Sequence, residues 1–246
     1  MKDYMEWIRT SVFPTNFCPG CGHGIILKAI THAMSQLGID RKKTVFVSGI
    51  GCSGWISSPY IKADTLHVTH GRAIAYATGV KLANPELTVI VIGGDGDIAS
   101  IGGNHLIHAA RRNIDLTVIM ADNQNYGMTG GQFSPTTPQG AKTTTSPEGF
   151  RERPFDMVKL VKAAGAQYVA RYTVAHFPQM VNALKKAIKT NGFAFLHFLS
   201  TCPTHFGRRN ITSDPYEFLQ YLRKNSISVS NAAEKDYAKK IVIGEF

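Results

Sequence analysis

Five short apolar, β-branched runs, separated by stretches of helical periodicity, constrain this chain more than any other feature. The runs are Thr44 to Ser48, Leu87 to Ile92, Leu116 to Met120, Gln167 to Ala170 and Phe193 to Leu199. Each reads as a strand buried on both faces. Between them the spacing predicts helices over 22–37, 71–84, 102–112, 155–164 and 175–190. This alternation predicts an α/β fold, an open, mostly parallel sheet with helices on both faces. In such sheets ligands sit beyond the carboxyl ends of the strands, where strand order reverses. Gly93-Gly94-Asp95-Gly96 and Asp122-Asn123 each follow a predicted strand directly.

At 246 residues, 43% hydrophobic and 18% charged, the chain can build one substantial core. We expect a single domain over 1–224 and a C-terminal docking tail over 225–246, where Ser226, Ser228 and Ser230 lead into a polar stretch. The segment from Phe133 to Arg153 is rich in Ser, Thr, Pro and Gly, which predicts a long loop that covers the site or meets a partner subunit. The net charge of +10 is spread over short groups such as Arg41-Lys42-Lys43 and Arg208-Arg209, without a basic tract interleaved with aromatics. That pattern points away from nucleic acid and toward an acidic protein such as an electron carrier. No run reaches the roughly 18 apolar residues of a membrane span, and Lys2, Asp3, Glu6 and Arg9 stand where a signal peptide needs apolar residues. A cytoplasmic protein is expected, so four cysteines read as metal ligands or buried thiols rather than disulfides.

Asp95, on a turn flanked by glycines, can offer a carboxylate to magnesium while the amides of Gly94, Gly96 and Asp97 approach phosphate oxygens. Asn123 can add a side-chain oxygen and Asn125 its carbonyl, and Gly127, Gly130 and Gly131 let the next loop fold closely over a diphosphate. A helix from near Gly102 would direct its positive end here. A lone Gly-Asp-Gly is most often a plain strand-to-helix turn, and the second polar cluster on the next strand is what favours a magnesium-diphosphate site. The cysteines fall as Cys18-Pro19-Gly20-Cys21, then Cys52 in Gly51-Cys52-Ser53, then Cys202-Pro203-Thr204. One close pair and two lone cysteines suit a [4Fe-4S] cluster, with structural zinc, which more often uses two close pairs, as the alternative.

Gly94-Asp95-Gly96 with Asn123 and Asn125-Tyr126-Gly127-Met128-Thr129-Gly130-Gly131-Gln132 resembles the thiamine-diphosphate motif of the 2-oxoacid:ferredoxin oxidoreductases. The four cysteines resemble the cluster cysteines of that family in order and context, and the matching segments span residues 16–206. The resemblance implies a thiamine-diphosphate-binding fold in which Asp95, Asn123 and the main-chain oxygen of Asn125 bind magnesium. It implies cofactor contacts from Ile50, Gly51, Cys52, Ser53, His70, Gly71, Arg72, Gly94, Gly96, Asp97, Gly127, Met128 and Thr129. Cys18, Cys21, Cys52 and Cys202 would hold a [4Fe-4S] cluster. His70 and Arg72, facing diphosphate or substrate, and Cys52, touching cofactor and cluster, become the catalytic candidates.

On this resemblance the chain is the β subunit of an enzyme that oxidatively decarboxylates a 2-oxoacid to acyl-CoA and CO2, passing electrons through the cluster to ferredoxin. Gly49 to Trp55 and Thr69 to Arg72 look most like the 2-oxoglutarate branch, with pyruvate and branched-chain oxoacids as alternatives. Related enzymes can carry a basic residue near Trp55 to hold the substrate carboxylate, and here Trp55 stands in its place. None of the glutamates lies in a motif suited to the aminopyrimidine, so a larger α, or fused α-γ, partner subunit is expected to supply that residue. A non-redox thiamine decarboxylase or synthase with structural zinc is the reading from another class, and a zinc-bearing scaffold or basic nucleic-acid binder a further one. Of the other histidines, His23 is expected beside the metal or at a helix start, His105 and His108 as packed or partly exposed helix residues rather than a metal pair, and His197 as a satisfied core histidine.

Overall fold

The computed structural model describes residues 3–246. Eight strands, β1 (Thr44–Ser48), β2 (Asp64–His67), β3 (Thr88–Gly94), β4 (Thr117–Asp122), β5 (Tyr168–Thr173), β6 (Ala194–Leu199), β7 (Ser226–Ser228) and β8 (Ile241–Glu245), form one sheet ordered β2-β1-β3-β4-β6-β5-β8-β7. Every neighbouring pair is parallel except β5 with β8. The helices are α1 (His23–Leu37), α2 (Ala73–Ala83), α3 (Gly103–Arg111), α4 (Met157–Ala163), α5 (Phe177–Lys189), α6 (Arg208–Asn210) and α7 (Pro215–Lys224).

The continuous apolar runs follow from two cores, one on each face. On β3, Ile90 and Ile92 pack with α1, α5 and α7, whereas Val89 and Val91 pack with α2, α3 and α4. Successive side chains leave a strand on opposite faces, so a strand covered twice must be apolar at every position. Each such aliphatic contributes about 1.5–3 kcal/mol on full burial. The two central strands β4 and β6 are buried along their whole length.

β1 lies between β2 and β3, so the loops leaving β1 and β3 diverge at their carboxyl ends and open a crevice there. The helix that points into it starts earlier than the sequence indicates. Asp95 caps a wide π-helical turn over Gly96–Ile101, and α3 begins only after it. The positive helix end facing the crevice therefore belongs to Gly96, not to Gly102. Residues 225–246 add β7 and β8 to the far edge of the sheet, with Gly244 paired to Arg171. Residues 133–153 carry no regular element but are tied down, Gly140 N–H donating to the Phe150 carbonyl (2.7 Å) and Asn210 bridging both main-chain groups of Lys142.

Candidate active site

A cavity of about 290 Å³ opens at the switch point, lined from the loops after β1, β3 and β4. Ile50, Gly51, Cys52 and Ser53 form one wall, and Gly94, Asp95, Gly96 and Asp97 the floor. Asn123, Asn125, Gly127, Met128 and Thr129 form the opposite wall, with His70 at the edge. Ala121 and Tyr126 complete the lining. Gly71 and Arg72 are outside it. The Gly71 N–H donates to Asp97 Oδ1 at 2.7 Å, and Arg72 Nη1 donates to the carbonyls of Gly71 and Ile101, both at 3.3 Å.

Missing side chains shape the floor. A Cβ on Gly96 would lie 2.2 Å from the Tyr126 ring, and one on Gly94 2.9 Å from Ser53 Oγ. Asp97 joins three loops through Oδ1, which accepts from the N–H of Gly71, from the N–H of Ile50 (3.3 Å) and from His70 Nδ1 (2.9 Å). Gly49 and Gly93 make room for it, since a Cβ on either would stand 2.2 or 2.6 Å from Asp97 Oδ2. Burial holds the Asp97 carboxyl above its ordinary value despite these donors. His70 Nδ1 faces two acceptors, Asp97 Oδ1 and the Ile50 carbonyl (3.3 Å), so the proton resides on Nδ1.

Asp95 is 2% exposed, and among the described residues no ion pair involves it. Burial and the neighbouring Asp122 push its carboxyl up to about 8. Beside it, among the described residues, Asn125 Oδ1 is buried without a partner, and Asn123 Oδ1 accepts only the long bonds from the N–H (3.3 Å) and amide (3.4 Å) of Asn125. A buried carboxyl and two under-used amide oxygens around a glycine-floored cavity suit magnesium with a diphosphate, the metal supplying positive charge and the diphosphate further oxygens. Among the described residues no three His, Cys, Asp or Glu side chains gather around one point. Magnesium held by one carboxylate, amide oxygens and phosphate does not need such a group.

The cysteines approach the same corner from three segments, near enough to act on one another though no three of them gather around one point. Cys21 N–H donates to the Cys18 carbonyl (3.0 Å), and this turn docks on the strand after β6 through Gly22 N–H to the Thr201 carbonyl (3.1 Å) and Thr201 Oγ1 to the Gly20 carbonyl (2.8 Å). Cys202 follows, its Sγ 3.7 Å from where a Gly127 Cβ would stand. Burial pushes the Cys21 thiol up to about 12, with Cys52, Cys202 and Cys18 all close enough to add to the rise. Cys52, also pushed up to about 12 by burial, lines the cavity and faces the amide of Asn123 at 3.6 Å. His23 opens α1 fully buried, its Nε2 3.3 Å from Cys52 Sγ and its Nδ1 3.0 Å from Ser200 Oγ, and burial lowers its pKa to about 4. Four thiols brought to one corner are the donor chemistry that an iron-sulfur cluster or a zinc ion would use.

Sequence reasoning missed Thr136. From the long loop its hydroxyl reaches Asp122 Oδ1 at 2.8 Å and Asp95 Oδ2 at 3.2 Å. Only the Ser/Thr-rich composition of 133–153 hinted at it, and composition does not single out one hydroxyl. His197 is buried as expected, but against Asp122, with Nε2 to Oδ2 at 2.7 Å, and burial lowers its pKa. Trp55 is 37% exposed beside His67 and outside the cavity lining.

Fold, cavity and glycine floor define a thiamine-diphosphate-binding α/β domain. Residues 49–198 match the family described as thiamine pyrophosphate enzyme, C-terminal TPP binding domain. The 2-oxoglutarate synthase subunit KorB of Methanothermobacter marburgensis is 52% identical over 99% of this chain and 86% of its own length. The 2-oxoacid:ferredoxin oxidoreductase subunit beta of Saccharolobus solfataricus is 46% identical over 77% of this chain and 63% of its own. The 2-oxoglutarate:ferredoxin oxidoreductase from Magnetococcus marinus, solved with 2-oxoglutarate, coenzyme A and succinyl-CoA, superposes with a TM-score of 0.87 at 34% identity, over 100% of this chain and 84% of that one. The chain belongs to the β subunits of the 2-oxoacid:ferredoxin oxidoreductases, thiamine-dependent enzymes that work as assemblies of different subunits. No helix among the described residues is long and apolar enough to cross a membrane.

Proposed function

We propose that this β subunit serves the oxidative decarboxylation of 2-oxoglutarate to an acyl-CoA in the cytoplasm, with ferredoxin as electron acceptor. The observation that carries the reading is Cys52, which lines the cofactor cavity and also belongs to the thiol corner. One short segment then borders both the place where electrons are released and the place where they leave. The substrate assignment rests on the 2-oxoglutarate relatives, and the cytoplasmic setting on four free thiols, which a reducing compartment preserves.

In this reading Asp95, Asn123 and the main-chain oxygen of Asn125 hold magnesium, while Gly94, Gly96 and Asp97 present amides to the diphosphate. Thiamine diphosphate supplies the electron sink for decarboxylation when bound. The protein holds that site rigid through Asp97, which orients the His70 ring by its Nδ1 and leaves Nε2 free at the cavity edge. Cys18, Cys21, Cys52 and Cys202 hold a [4Fe-4S] cluster, and His23 fixes Cys52 from behind. Ile50 and Met128, 43% and 52% exposed on the cavity rim, give an apolar edge for the larger α or α-γ subunit to cover. That subunit contributes the glutamate for the aminopyrimidine, and coenzyme A takes the acyl group.

The test is a substrate panel on the enzyme purified anaerobically with its partner subunits. 2-Oxoglutarate should reduce ferredoxin with a higher kcat/KM than pyruvate or branched-chain oxoacids, in a coenzyme A-dependent reaction. A preference for pyruvate would overturn the substrate assignment.

A further inference from the structure

On the α4 side of the sheet, among Val118, Met120, Val169 and Phe195, runs one row of polar side chains. Arg171 and His197 are register partners on β5 and β6, and Asp122 ends the adjacent strand β4. Arg171 Nε donates to His197 Nδ1 at 3.1 Å, and its terminal nitrogen to Asp156. An arginine can only donate, so Nδ1 carries no proton and the proton of His197 sits on Nε2. Nε2–H donates to Asp122 Oδ2 at 2.7 Å, while Asp122 Oδ1 accepts from the Gln124 N–H (2.9 Å) and from Thr136 Oγ1 (2.8 Å). Thr136 Oγ1 lies 3.2 Å from Asp95 Oδ2.

We propose that His197 and Thr136 are positioning residues for the metal-binding carboxylate of Asp95, with Arg171 fixing the histidine tautomer on which the arrangement depends. Thr136 has one proton for two carboxylates. As long as His197 satisfies the far oxygen of Asp122, that proton is shared with Asp95, and the carboxylate is held in one orientation. Without the Nε2–H donor, Asp122 keeps the hydroxyl to itself and Asp95 loses Thr136, one of its two side-chain donors from the loop, with Ser134 remaining. Partners of this kind, one bond removed from a metal, typically change metal affinity about 10–100-fold when lost.

The inference rests on the reading of Asp95 as a magnesium ligand, and the experiment separates the two. The magnesium concentration needed to retain thiamine diphosphate is measured by calorimetry on the enzyme with its partner subunits, alongside metal-free melting curves. Thr136→Val and His197→Asn, whose shorter amide reaches toward Arg171 but not Asp122, are expected to raise that concentration about tenfold or more. Thr136→Ser and His197→Gln keep the donors and are expected to restore it. A lower melting temperature with an unchanged magnesium requirement in Thr136→Val and His197→Asn would reduce the row to packing and overturn the inference. Should His197→Asn fail to fold, Thr136→Val against Thr136→Ser decides alone. Normal magnesium dependence in Asp95→Asn would overturn the underlying reading, whereas its loss there with no effect in Thr136→Val would overturn the inference only.

Discussion

The diphosphate corner and the thiol corner share Cys52 yet are built in opposite ways. The first is finished by the polypeptide: glycines leave the space, and Asp97 ties the loops after β1 and β3 to the start of α2. The second gathers Cys18, Cys21, Cys52 and Cys202 from three segments, with Cys18 exposed, Cys202 buried, and the thiols of Cys21 and Cys52 held protonated by burial. A cavity for a dissociable cofactor has to exist before the cofactor arrives. A covalent cluster can complete its own site, because metal binding replaces the thiol protons.

The two corners should therefore fail separately. The largest effect is expected from Asp95→Asn, which should abolish magnesium-dependent thiamine retention, measured by equilibrium dialysis, and leave the iron content intact. The same variant should melt higher than the parent in metal-free buffer at pH 8. A carboxyl whose folded pKa is raised to about 8 costs stability as pH climbs from its ordinary range toward 8, and the amide removes that cost. Next comes Cys202→Ser, expected to keep thiamine and lose ferredoxin reduction in stopped-flow assays. Gly96→Ala should be milder, weakening thiamine affinity by about 1–3 kcal/mol as its methyl displaces the Tyr126 ring. The smallest effect concerns reactivity after iron is stripped. At pH 8 exposed Cys18 should alkylate first by mass spectrometry, with Cys21 and Cys52 slow until the pH nears 12. Fast modification of Cys52 at pH 8 would show that its thiol is open to solvent.

Of the five central strands, β1, β3, β4 and β6 were legible because burial on both faces writes a nearly unbroken apolar run, β5 only by its first half, and α1 and α5 because one face of each is apolar. β2 was not, since Asp64–His67 is largely exposed and carries no such run. The tail gave no sign of β7 and β8, because an edge strand satisfies its backbone without needing a core face. α7 did carry a readable signal, with Asp214 capping the Glu217 N–H and Pro215 opening the helix. In the cavity, positions fixed by backbone shape could be read from glycines and Asp-Asn pairs. Thr136, His197 and Ser200 could not, because each acts through a contact made only when distant segments pack.

The most direct test is iron, acid-labile sulfide and thiamine content of the enzyme purified anaerobically with its partner subunits, with an electron paramagnetic resonance spectrum after reduction. The account predicts about four irons per β chain, thiamine diphosphate in equal amount to the chain, and a reduced-cluster signal. Thiamine with zinc, or with no iron at all, would contradict it.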